Sequence, residues 1–152
     1  MVSALIGIPI VIAALAGFYF VSQPAEKFEP LVEIQSDSIS PQPANFFDDV
    51  TQIKPDETAT ITIEVVSLSN EYNNNAKLTA EFLDKEAYDF FQVLDSEKNV
   101  GVLQQAGADS GPIQFTVKGI KSAGKYENTL SIKLTIDGIQ QDDASFKIRI
   151  AE

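Results

Sequence analysis

Between residues 58 and 65 the chain reads TATITIEV, so Ala59, Ile61, Ile63 and Val65 alternate with Thr60, Thr62 and Glu64. A period of two sorts side chains onto the opposite faces of an extended strand, whereas a helix would scatter them around its surface. The segment is therefore expected to be a strand with its aliphatic face on a core. The pattern returns at Ile113, Phe115 and Val117, at Leu130, Ile132, Leu134 and Ile136, and at Phe146, Ile148 and Ile150. Shorter strands are expected at 31–34, 77–83, 90–94 and 100–103, and 124–136 is expected to be the longest. Turn chemistry separates them: KPDE at 54–57, EYNNNA at 71–76, DSEKN at 95–99 and Asp137-Gly138, a glycine-containing hairpin signal. DKEAYD at 84–89 has room for one helical turn. Lys147 and Arg149 fall on the outward phase of the last strand, as on a guarded edge or a solvated face. With strands roughly every 10–15 residues, this part of the chain is predicted to be mainly β: an antiparallel β-sandwich of about seven or eight strands.

The first residues follow a different rule. From Val2 to Val21 no side chain is charged. Twenty residues of helix reach roughly 30 Å, the thickness of a bilayer's hydrocarbon core. Phe18, Tyr19 and Phe20 close the run, where aromatic rings favour the water–lipid boundary, and Pro24 disfavours helix at Gln23. Pro9 lies inside it, which a membrane helix tolerates when neighbours satisfy the freed carbonyl. The small residues Ala4, Gly7, Ala13, Ala16 and Gly17 would let a second helix approach closely. Three readings compete: a cleaved signal peptide, an uncut anchor and the spine of a filament. A signal peptide wants a basic start, and no Lys or Arg precedes Lys27. The organisation expected is an N-terminal transmembrane α-helix at 1–23, a Pro-rich connector containing the first strand at 24–52, and the sandwich at 53–152.

Composition narrows the chemistry. The chain has neither cysteine nor histidine, which removes thiol chemistry, disulfides and the commonest general base and metal ligand. Its formal charge of -11 lies wholly beyond Val21, on a surface that repels nucleic acid. Asp48-Asp49, Asp56-Glu57 and Asp142-Asp143 are paired acids, but there is no calcium-loop pattern around them. No catalytic residue, cofactor site or metal site is assigned, and the protein is not expected to be an enzyme. The rings of Phe46, Phe47, Tyr72, Tyr88, Phe90 and Phe91 exceed what the inward faces need. Phe46, Phe47, Tyr72 and Tyr88 are the candidates for partner contact.

The run from Lys54 to Val66, the segments at 76–80 and 111–117, and Gly124-Lys125-Tyr126 leading into a long strand resemble the immunoglobulin-like modules of archaeal and bacterial surface proteins, including the CARDB type. The resemblance covers about residues 53–151, rests on pattern rather than on invariant side chains, and implies a fold but no site residues. An apolar N-terminal helix before a β-rich head also resembles archaeal pilins in outline. Together these imply a single-pass membrane protein with its head outside the cytoplasm. It would act by contact with other membrane protein subunits and the lipid bilayer, for example as an accessory subunit of an archaeal membrane enzyme of the ammonia-monooxygenase type. Self-assembly as a pilin-like filament subunit is the alternative, and a cation- or ligand-binding surface domain a third.

Overall fold

A computed structural model describes residues 28–44, 47–71, 75–122 and 124–152. The expected anchor at 1–23 and the contact candidates Phe46 and Tyr72 lie outside the described residues. Among the described residues no helix is long and apolar enough to cross a membrane.

Among the described residues nine strands form in chain order: β1 (Val32–Ser40), β2 (Val50–Ile53), β3 (Thr58–Ser67), β4 (Ala76–Phe82), β5 (Phe91–Leu94), β6 (Glu97–Asn99), β7 (Ile113–Gly119), β8 (Lys125–Ile136) and β9 (Ile139–Ala151). A 3₁₀ turn, Lys85–Asp89, joins β4 to β5, as the one-turn expectation had it. One sheet has the order β1-β3-β7-β5 and the other β2-β9-β8-β4-β6. Strand alternation supplies the core between them. Ala59, Ile61, Ile63 and Val65 of β3, Phe115 and Val117 of β7, Leu130, Ile132 and Leu134 of β8, and Ile148 and Ile150 of β9 are all fully buried. The Asp137-Gly138 turn sits between Ile136 and Ile139 with both residues at positive φ, 49° and 82°. That is the geometry a two-residue hairpin needs to match the right-handed twist of its strands.

The structure corrects three local expectations and narrows a fourth. First, β2 forms inside the Pro-rich connector and runs parallel to β9, Val50 opposite Lys147 and Ile53 opposite Ile150, so the sandwich is not purely antiparallel. Second, the strand expected at 100–103 is instead β6, on residues expected to turn; Val100 still donates its N–H to Ala76 O at 3.0 Å, but Gly101 at φ 95° ends the extension. Third, β9 rather than β8 is the longest strand, 13 residues against 12. Fourth, of the two placements expected for Lys147 and Arg149, a guarded edge or a solvated face, the pairing of β2 along Lys147–Ile150 leaves the face.

The count exceeds the predicted seven or eight because two strands are split between the sheets. The first begins on β3 as β1 and continues on β9 as β2. The crossing between β4 and β7 touches one sheet as β5 and the other as β6.

The strands run between two poles. At the near pole the chain arrives at Val32, β3 ends at Ser67, β4 starts at Ala76, and β8 turns into β9. At the far pole lie the loops 41–49, 54–57, 83–90 and 120–124. Gly119 marks a close crossing there: a Cβ on it would stand 2.6 Å from Lys54 O and 2.9 Å from Ile150 Cδ1.

Candidate contact site

Tyr88 reaches its position because β4 runs into the 3₁₀ turn. The Phe82 N–H donates to the Tyr88 hydroxyl at 3.0 Å, and the two rings meet edge to face at 5.7 Å between centroids. Phe91 stacks on Phe82 at 5.0 Å and is fully buried, and Phe90 stacks on Tyr126 at 4.2 Å with the Lys121 ammonium 5.6 Å from its own centroid. Aromatic pairs at these separations contribute beyond their buried area. Phe90 and Phe91, read from sequence as surplus rings, thus belong to one packed far-pole cluster with Phe82 and Tyr126.

A polar network edges that cluster. Asn128 donates from Nδ2 to Asp84 Oδ2 at 2.7 Å and to the Tyr126 hydroxyl at 3.1 Å. Burial pushes the Tyr126 phenol above its ordinary value; the Asn128 hydrogen bond opposes this, and the charges of Glu86, Asp84 and Asp89 add to it. Arg149 clamps the 41–49 loop to the sheet, giving Nη1 to Asp48 Oδ2 at 3.1 Å and Nη2 to Glu127 Oε2 at 2.8 Å. Those two carboxylates hold the guanidinium above its already high value, Asp48 first.

Between β4 and β5, which belong to opposite sheets, lies a cleft of about 310 Å³, lined by Tyr88, Phe91, Val93 and Ile120 together with the more polar Thr79 and Ser96. Leu83, 67% exposed, follows the end of β4 on the same pole. Phe47 is 90% exposed in the loop that Arg149 holds. Two of the four contact candidates, Phe47 and Tyr88, are therefore at the far pole and open to solvent, but the structure does not bring them into one cavity. A second opening, about 530 Å³, lies between β1 and β9 and is lined by Asp37, Ile39, Pro43, Asp49 and Phe146.

The near pole carries residues that the sequence reading did not single out. The Leu68 N–H donates to Leu31 O at 2.9 Å. The Leu31 N–H donates to Gln141 Oε1 at 2.9 Å, and Gln141 Nε2 donates to Ile139 O at 3.2 Å. Gln141 can do this because a bulge skips it in the β8–β9 register, where Leu134 faces Asp142 and Thr135 faces Gln140. Leu31, Leu68 and Ile139 are thereby neighbours, all exposed, with Phe28 just upstream. A sequence signal did exist. Leu68, like Leu83 and Ile120 at the far pole, is an apolar residue one step out of phase with the buried alternation of its strand.

Ser122 and Lys125 have the Ser-x-x-Lys spacing. Ser122 lies in the turn before β8, where its hydroxyl donates to Gly124 O at 3.1 Å, and Lys125 is the first residue of that strand. Among the described residues no group of three or more acidic side chains is placed to hold a metal ion. Both clefts offer apolar walls with hydroxyl and amide edges, which suits contact with a surface or a chain.

With β1, β3, β7 and β5 facing β9, β8 and β4, and the first strand shared between the sheets, the chain is an Ig-like β-sandwich. No family model matches the sequence, and no curated protein does. Among solved structures it is similar to a PapD-like domain of human CEP192, at 11% identity over 86% of this chain and 92% of that one, TM-score 0.46. It is also similar to a CARDB domain from Pyrococcus furiosus, at 10% identity over 82% and 98%, TM-score 0.45. An MSP family member of C. elegans aligns at 11% identity over 76% and 95%, TM-score 0.39.

Proposed function

We propose that this protein is a non-catalytic, single-pass membrane-anchored domain whose Ig-like head, outside the cytoplasm, acts by contact as an accessory subunit of a larger membrane assembly. The observation that carries the reading is one of placement. The uncharged run Val2–Val21 ends seven residues before Phe28, and the head's first strand starts at the near pole immediately afterwards. An anchor of that length holds the head at the bilayer by its near pole. The cleft and exposed side chains of the far pole, Phe47, Leu83, Tyr88 and Ile120, are then turned toward neighbouring proteins.

The absence of histidine and cysteine from the sequence suits a protein that works by binding. Acidic side chains outnumber basic ones by 22 to 11, which favours a partner with basic groups and disfavours nucleic acid. The test is purification of the full chain from its native membrane in mild detergent, after an alkaline carbonate wash. The expected result is retention in the membrane pellet and co-migration with a defined set of unlike membrane subunits. Release by carbonate, or recovery of the chain alone as fibres, overturns the proposal.

A further inference from the structure

We propose that the near pole is a membrane seat, with Phe28, Leu31, Leu68 and Ile139 resting in the headgroup layer of the bilayer that Val2–Val21 crosses. This rests on the anchor reading above and adds a surface to it. Backbone and Gln141 hydrogen bonds bring Leu68 beside Leu31 and Leu31 near Ile139, and Phe28 precedes Leu31 by three residues. The patch is surplus to the fold: Phe28 is 58% and Ile139 59% exposed, while the core beneath is complete with Val32, Val65 and Ile136.

The covalent tether sets its position. Six residues separate Val21 from Phe28, a reach of at most about 25 Å fully extended. A tether that short holds the pole at an effective concentration on the order of millimolar relative to the surface, so a weak apolar contact is enough to stay made.

Charge sets which surface it accepts. Glu29, Glu71, Asp109 and Asp137 stand in the near-pole segments at 28–31, 68–71, 100–112 and 137–138, and no described lysine or arginine does. The far-pole loops are also net acidic, but there Lys54, Lys85 and Lys121 stand among the carboxylates, whereas the near-pole carboxylates have no cation in their own loops. A carboxylate rim is repelled by an anionic leaflet and tolerated by a zwitterionic one, and salt screens the difference. The seat therefore prefers neutral headgroups.

The chain contains no tryptophan, so a single introduced indole reports one place. The full-length variants Leu68→Trp, Ile139→Trp and, at the far pole, Leu83→Trp would be reconstituted in phosphatidylcholine vesicles containing brominated acyl chains. Indole at Leu68 and Ile139 is expected to be quenched at least about twofold more than at Leu83. Adding phosphatidylglycerol at low salt is expected to reduce that quenching, and high salt to restore it. If all three variants float with the vesicles but are quenched alike, the seat is refuted and the anchor stands; a patch reserved for a protein partner gives this result. If the chain does not float with the vesicles, the anchor reading fails and takes the seat with it. Equal quenching in neutral and anionic vesicles refutes the part assigned to the carboxylates.

Discussion

The two poles of the sandwich both expose apolar side chains, yet they use them differently. At the far pole most rings have structural work: Phe82, Tyr88, Phe90, Phe91 and Tyr126 interlock, and Asn128 ties them to the Asp84 loop. At the near pole Leu31, Leu68 and Ile139 are held in place through backbone groups and one glutamine, while the residues themselves stay 36–59% exposed. Exposure alone does not separate these cases: Tyr88 and Leu68 are each 43% exposed. What separates them is whether the side chain itself carries the contact that orders the loop. An aliphatic group that the fold does not use, displayed next to a tether, is available for something outside the fold.

That contrast can be broken from either end. The largest effect should come from the core that both poles share. Leu130→Ala, at a fully buried position, should cost about 2–5 kcal/mol in urea unfolding and loosen both poles alike in hydrogen exchange. A variant that relaxed one pole alone would mean that the poles do not share one cooperative core. Next, Gly119→Ala drives a methyl group against Lys54 O and Ile150 at the far-pole crossing; a loss of roughly 1–3 kcal/mol is expected from the same measurement. Smaller again, Tyr88→Phe keeps the ring and removes the acceptor of the Phe82 N–H. Because the site is half open to water, about 0.5–1 kcal/mol is expected.

A pH scan sharpens the far-pole side. The Tyr126 phenol is raised in the folded state, chiefly by burial, so the fold favours the neutral form. Its contribution is present below the ordinary value of 10.0 and is lost as pH rises through the folded value. The melting temperature should therefore drop between neutral and strongly alkaline pH, and Tyr126→Phe should shrink that drop. An unchanged alkaline drop in the variant would assign it elsewhere. The smallest effects belong to the near pole: Leu68→Ser and Ile139→Ser should each stay within about 0.5 kcal/mol of the parent. A loss of several times that would show these side chains to be part of the fold, and the distinction between the poles would disappear.

Much of the sandwich was legible from residue order. The alternations at 58–65, 113–117, 130–136 and 144–150 named the inward side chains, and Asp137-Gly138 named its hairpin, because side-chain phase and turn geometry depend on neighbours a few residues apart. The contact surface was legible only in part. Phe47 and Tyr88 are exposed as candidates should be, whereas Phe90 and Phe91 turned inward to partners at Tyr126 and Phe82. Leu31 was read only as the start of a strand and Ile139 falls just after a turn, while the signal at Leu68 was its place one step out of phase with the buried alternation of β3.

The period-two pattern, the turn residues and the uncharged run from Val2 to Val21 are local properties, and with them the chain by itself determined that a β head follows an apolar segment. The tertiary structure decided that β2 lies parallel to β9, that the β4–β7 crossing touches both sheets, and that Gln141 bulges out to gather three aliphatic residues at one pole. Those outcomes depend on which edges are left open once the central strands have paired, a balance among contacts around a hundred residues apart, such as Leu31 with Gln141. No short window of sequence contains both sides of such a contact.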